Sequence, residues 1–263
     1  MTGKIKGTGS YIPVQVWDND KLSHMMDTSD EWIRGRTGIG QRHIASGEET
    51  VSYMAAKAGE AALADAKMKP EEIDLILVST MSAEKIMPCA ACEVQKLLGA
   101  VHATCFDLNG ACTGFLLALN TAQAYLGGRI YRTALVIGAE ALSHLTNWQD
   151  RSTCVLFGDG AGAAVVDGGE GLLATRLTSA GDATFLNMYP SPGNSPFATS
   201  HLPMRALYMD GPEIYRFAVS HSVKDLRAVC EAAGVALEDV DHFLLHQANK
   251  RIIDAARVRL KQP

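Results

Sequence analysis

The chain has 263 residues, 47% of them hydrophobic and 20% charged, with a formal net charge of −5. A chain of this length buries roughly 75% of its extended surface, so it needs no staples, and its composition is neither disordered nor collagen-like. It contains no run of five Lys/Arg residues and no stretch approaching the roughly 18 apolar residues of a membrane span, which argues against a nucleic-acid binder and a membrane protein.

The N-terminus, MTGKIKGTGSYIP, lacks the apolar core of a secretory leader. The six cysteines, Cys89, Cys92, Cys105, Cys112, Cys154 and Cys230, sit mostly inside apolar runs. Both features point to the cytoplasm and against a disulfide framework. Residues 17–50 read as a long loop. The pattern then predicts a helix over 51–66, a strand over 74–79 (DLILVS), a helix over 89–99, a strand over 104–108 (TCFDL) and a helix over 113–126. Strands over 133–139 (TALVIGA) and 161–167 (AGAAVVD) follow, and then a second long loop over 180–212 containing YPSPGNSPFATS. Strand-length apolar runs alternating with helices predict an α/β fold whose sheet is buried on both faces. Long loops of this kind are often functional lids.

Residues 61–80 (AALADAKMKPEEIDLILVST) align with 228–247 (AVCEAAGVALEDVDHFLLHQ). A helix end, a turn, an acidic pair, an Ile/Val-Asp and an apolar strand coincide. The chain therefore reads as two copies of one α/β unit, 1–168 and 169–263, the second of them incomplete.

The turn Asn109-Gly110-Ala111 leads from strand 104–108 into Cys112 and a helix. A sulfur at a helix N-terminus is favoured as thiolate. Gly110 and Gly114 suit the sharp turn of a nucleophile elbow. By itself Cys112 reads equally as a small buried hydrophobe. His246 ends the apolar run FLL, and the carboxyl ends of strands are where catalytic groups gather in such sheets. It is the natural base for Cys112 if the two copies pack about a pseudo-twofold axis, or else a histidine satisfied by a backbone group. Cys89 and Cys92 form a C-x-x-C motif, read here as core packing rather than a redox or zinc pair, since no second pair exists. GDGAG (158–162) runs into a strand with no Walker lysine and is not a dinucleotide site. No metal-ligand spacing occurs.

ACTGF around Cys112, HQANKRI at 246–252, RSTCVLFGDGAGAAV at 151–165 and TSDEWIRGRTGIGQRHIA at 28–45 together resemble β-ketoacyl-acyl carrier protein synthase III. The resemblance implies a thiolase-like fold of five αβαβα layers, working as a homodimer without a permanently bound cofactor. It implies that Cys112 takes an acyl group from acyl-CoA as a thioester. Decarboxylation of malonyl-acyl carrier protein then gives a carbanion that attacks the thioester, with His246 donating to the enolate oxygen.

By the same resemblance Trp32, Arg36 and Arg151 hold the adenine and phosphate end of CoA. Gln247, Ala248, Asn249, Lys250 and Arg251 match the docking stretch for an acidic carrier protein. Met87, which reaches across the dimer interface in the family, lines the acyl pocket with Leu142 and Phe157. The family's later asparagine and glycine-rich oxyanion loop have no counterpart, so the second half is expected to be truncated. Two other readings stay open: acyl transfer to another acceptor such as an alcohol or amine, and a noncatalytic fragment or paralogue.

Overall fold

A computed structural model of the chain describes residues 2–188 and 206–262. The segment YPSPGNSPFATS lies outside them. In chain order the elements are β1 (Thr2–Tyr11), β2 (Gln15–Asp18), α1 (Asn19–Ser23), α2 (Asp30–Thr37), β3 (Gln41–Ile44), α3 (Val51–Ala66), β4 (Leu75–Ser79) and α4 (Ala90–Leu98). There follow β5 (Thr104–Leu108), α5 (Gly114–Gly127), β6 (Thr133–Ala141), β7 (Asp159–Glu170), β8 (Leu186–Asn187), β9 (Tyr208–Met209), α6 (Gly211–Ala233) and α7 (Lys250–Leu260). The chain divides into two units. The first comprises residues 1–16, 43–142 and 158–177, and the second residues 17–42, 143–157 and 178–263.

The first unit is built on a five-stranded sheet in the order β1-β7-β6-β4-β5. Strands β4, β5 and β6 run parallel, and β7 is antiparallel to both β6 and β1. Successive side chains of a strand point to opposite faces, which explains the uninterrupted apolar runs. Ile76 and Val78 of β4, with Leu135 and Ile137 of β6, pack against Met54, Ala58 and Ala62 of α3 and Val94 of α4. On the other face Leu75, Leu77, Ala134 and Val136 meet Ala118, Ala122 and Leu126 of α5. β1 was not apparent from the sequence. Its Gly9 lies so close to α3 that a Cβ there would fall 2.3 Å from the Ala58 carbonyl oxygen. The strand therefore carries glycine where a side chain would have completed an apolar alternation.

Glu49 closes this unit beside β1. Its carboxylate accepts hydrogen bonds from the Ser46 amide (2.8 Å), the Ser46 hydroxyl (2.8 Å), the Tyr11 hydroxyl (2.7 Å) and the Val14 amide (3.4 Å). Donation to the charged form, chiefly from the Ser46 amide, lowers the Glu49 pKa to about 2, and the same carboxylate raises Tyr11 to about 12. A depressed carboxylate pKa stabilises the fold fully above its ordinary 4.5, and that contribution is lost as pH falls toward 2. Glu49→Gln is therefore expected to flatten the acid limb of a urea-midpoint series between pH 4.5 and 2. An unchanged limb would show that the carboxylate contributes nothing there.

In the second unit Leu22, Ile33, Cys154 and Val155 form a small core with Trp17, Trp32 and Trp148. The 17–50 stretch is not the long loop expected. It holds α1 and α2, and β2 and β3 pair with each other. Both helices carry side-chain N-caps: Asp18 accepts from the Lys21 amide, and Ser29 from the Trp32 amide. α7 packs on α6 and α2.

The two segments aligned in the sequence share a stretch of backbone geometry. α3 stops at Lys67 in the left-handed conformation and is followed by a 3₁₀ turn at Pro70–Glu72. α6 stops at left-handed Gly234 and is followed by a 3₁₀ turn at Leu237–Asp239. After that the copies differ, because residues 243–245 form no strand, contrary to the sequence expectation. An apolar run becomes a strand only where a neighbour supplies a ladder, and no described strand pairs with it, so Leu244 stands 92% exposed. No helix among the described residues is long and apolar enough to cross a membrane.

Candidate active site

Parallel strands β4, β5 and β6 all end on the same side of the sheet in the first unit, and Cys112 sits at that side. β5 delivers the chain through Asn109 and Gly110 to Ala111, whose φ of 43° places a non-glycine residue in the left-handed region. Such a conformation costs roughly 1 kcal/mol and marks a constrained turn. Residues Ala111–Thr113 form one 3₁₀ turn, closed by the Thr113 amide and hydroxyl on the Gly110 carbonyl at 3.1 and 2.9 Å. The helix proper begins at Gly114. A Cβ on Gly110 would lie 2.4 Å from Leu117, and one on Gly114 only 1.7 Å from the Ser79 hydroxyl at the end of β4. Both glycines of the expected sharp turn therefore stand where a side chain would collide with a neighbour.

Cys112 is solvent-accessible as a residue, yet its thiol is pushed up rather than down. Burial of the sulfur is the main cause, the charge of Glu140 adds to it, and the Cys112 amide opposes it. Burial and the Glu140 charge thus act against the thiolate that a helix N-terminus was expected to favour.

Glu140 is a site residue that the sequence reading missed. Its signal was a carboxylate interrupting the apolar strand TALVIGAEA. Its oxygens accept from the Met81 amide (2.9 Å), the Thr80 hydroxyl (3.3 Å) and the Ser82 hydroxyl, and Ser82 in turn accepts from the Ala141 amide at 2.8 Å. Glu140 thereby ties the segment leaving β4 to the end of β6. Burial raises its own pKa against those hydrogen bonds. Of the residues expected to line an acyl pocket, Met87 stands 86% exposed in the loop after β4, and Leu142, also in the first unit, is half-buried. Phe157 is half-buried in the second unit.

The second unit brings Trp32, Arg36 and Arg151 together. The guanidinium of Arg36 lies 4.5 Å from the centroid of the Trp32 ring and that of Arg151 5.1 Å from it. Arg151 also donates to the Asp27 carbonyl (2.6 Å) and carboxylate (3.3 Å). Two cations on one indole offer a flat surface for a heterocycle beside positive charge for phosphate.

His246 is exposed as a residue, and burial of its ring against surrounding protein lowers its imidazole pKa from the ordinary value. Gln247 is exposed and Ala248 half-buried. Asn249 caps α7, accepting from the Arg251 amide at 2.8 Å. Lys250 pairs with Asp254 at 2.5 Å, and Arg251 lies 5.8 Å over the Tyr215 ring. Among the described residues no group of three or more His, Cys, Asp or Glu could hold a metal ion.

The chain matches the family model of 3-oxoacyl-[acyl-carrier-protein] synthase III over residues 106–181, and the model of its C-terminal part over 230–263. It is 46% identical over 261 residues to the β-ketoacyl-[acyl-carrier-protein] synthase III of Clostridium acetobutylicum, covering 98% of this chain and 80% of that protein. The crystal structure of the 3-oxoacyl-[acyl-carrier-protein] synthase III of Aquifex aeolicus is similar with a TM-score of 0.90 at 43% identity, covering 99% of this chain and 82% of that one. The corresponding enzyme of Thermus thermophilus gives 0.91 at 39% identity, with 98% and 81% covered.

These likenesses define the class as a condensing acyltransferase of thiolase-like fold, the fold that the sequence motifs implied. The chain belongs to the β-ketoacyl-acyl carrier protein synthase III family, the condensing enzymes that initiate fatty acid synthesis.

Proposed function

We propose that Cys112 attacks the thioester of an acyl-CoA, releasing CoA thiol and retaining the acyl group. Malonyl-acyl carrier protein then loses CO₂, and its carbanion displaces Cys112 to give the 3-ketoacyl-carrier protein. The observation that carries this reading is the turn at Cys112. A cysteine exposed as a residue follows a left-handed alanine at the carboxyl end of a parallel strand.

Because the Cys112 thiol is pushed up, attack requires a proton acceptor, and the lowered pKa of the His246 imidazole favours the neutral, accepting form for that role. With a proton on one ring nitrogen it also donates to the enolate oxygen that decarboxylation leaves. Trp32, Arg36 and Arg151 take the nucleotide end of CoA, and Gln247 to Arg251 the carrier protein. Met87, Leu142 and Phe157 bound the acyl chain. The reading includes two thiolase-like halves, 1–168 and 169–263, no resident cofactor, action in the cytoplasm and a homodimer. Support for the dimer comes from β5, which among the described residues ends the sheet with one side of its ladder open. Similarity over 98% of the chain disfavours the noncatalytic alternative.

The test is acylation followed by intact and peptide mass spectrometry. Acetyl-CoA is expected to add one acyl group to the Cys112 peptide, and Cys112→Ala to abolish the addition. No uptake by the intact protein, or undiminished uptake by the variant, overturns the reading. Release of CO₂ from malonyl-carrier protein separates condensation from transfer to another acceptor.

A further inference from the structure

The C-x-x-C motif, read from sequence as core packing, does set Cys89 against the core of the first unit, but with a geometry that packing alone does not require. Cys89 is the N-cap of α4 and Cys92 its third residue. In a helix these two positions face each other, which is why a capping side chain at the first reaches the third. Here the sulfur of Cys89 makes no capping hydrogen bond. The work is done from β5 instead, where the Asp107 carboxylate accepts the Ala90 and Ala91 amides at 2.8 Å each. The Cys92 amide is satisfied by the Cys89 carbonyl at 3.1 Å. With the helix start capped from outside, the two sulfurs are left to each other, 3.4 Å apart and both partly accessible.

We propose that Cys89 and Cys92 are a redox-active dithiol that closes to an intramolecular disulfide on meeting a small disulfide such as oxidised glutathione. An S–S bond of about 2.05 Å requires the sulfurs to approach by roughly 1.4 Å. Rotation of a side chain that holds no cap can supply much of that movement. One sulfur, as thiolate, attacks the small disulfide and releases one small thiol. The second sulfur, also deprotonated, attacks the resulting mixed disulfide and releases the other. The protein dithiol becomes a disulfide, and one small disulfide becomes two thiols. Cys105 is a poor rival. Its thiol donates to the Ala103 carbonyl at 3.4 Å and burial pushes its pKa up to about 12, whereas the upward shift at Cys92 comes first from its hydrogen bond with Cys89 itself.

Trypsin isolates the pair, because the peptide IMPCAACEVQK (86–96) holds both cysteines and no other. The intact protein is incubated with oxidised glutathione, blocked with iodoacetamide and digested. The expected result is this peptide two hydrogens lighter, unalkylated, and alkylated twice if dithiothreitol precedes the blocking. In Cys89→Ser and Cys92→Ser no disulfide can close within the peptide, so the variant that keeps the attacking sulfur is expected to hold a single glutathione there as a mixed disulfide, and the variant that keeps the other sulfur to alkylate. The proposal is overturned if the oxidised peptide is alkylated at both sulfurs, carries glutathione on each, or is joined to the Cys105 peptide.

Discussion

Gly114→Ala is expected to destabilise the first unit by about 3 kcal/mol, the upper end of what overpacking costs. The added methyl would stand 1.7 Å from the Ser79 hydroxyl and 3.0 Å from its Cβ. Neither partner has room to move: Ser79 is 4% exposed at the end of a fully buried strand, and Gly114 opens α5. The strain therefore passes either into the β4–α5 packing or back into the 3₁₀ turn that carries Cys112. Displacing that thiol by even 1 Å would slow acylation by roughly 100-fold. A second substitution identifies the clash as the cause. Ser79→Ala removes the oxygen but leaves the Cβ, so the double variant is expected to recover a substantial part of the loss. Strict additivity in urea denaturation would refute the contact.

The second large effect is at Glu140. Glu140→Ala leaves the Met81 amide and the Ser82 hydroxyl without their acceptor and releases the segment after β4, an expected loss of about 2–3 kcal/mol. Glu140→Gln keeps the shape and removes the charge, which separates two consequences. A carboxyl group whose folded pKa is raised destabilises the fold progressively as pH climbs from its ordinary 4.5 to the elevated folded value. The glutamine variant lacks that slope, so its urea midpoint relative to the parent is expected to rise with pH over this range. The second consequence concerns Cys112, whose thiol the Glu140 charge helps to push up. Removing the charge is expected to raise the rate of Cys112 alkylation by iodoacetamide severalfold at neutral pH. Parallel midpoints and equal alkylation rates would show that Glu140 acts only as a tie between strands.

How well each region could be read from sequence followed from its packing. Strands β4 to β7 and helices α3 to α5 stood out because a sheet covered on both faces needs unbroken apolar runs. β1 did not, since its glycines admit the backbone of α3. α2 was overlooked although its signals were present: Ser29 as cap, Asp30 and Glu31 in the first turn, and Gly38 at the stop. Residues 243–245 failed in the opposite direction, since apolar content alone supplies no ladder partner. For the site, the turn around Cys112 and the cluster of Trp32, Arg36 and Arg151 were legible as motifs. The protonation of Cys112 was not, because it depends on how much protein surrounds the sulfur, and sequence does not report that. Glu140 was hidden for a related reason, as its three donors come from a segment about 60 residues away.

The two helix stops at Lys67 and Gly234 have φ angles of 55° and 67°. In one copy a glycine adopts this angle without strain, whereas in the other a lysine adopts it against a steric preference worth roughly 1 kcal/mol. What the two aligned segments hold in common here is thus a dihedral angle rather than an amino acid, and α2, α4 and α7 stop the same way at Gly38, Gly99 and Lys261, so the angle marks how helices of this chain end.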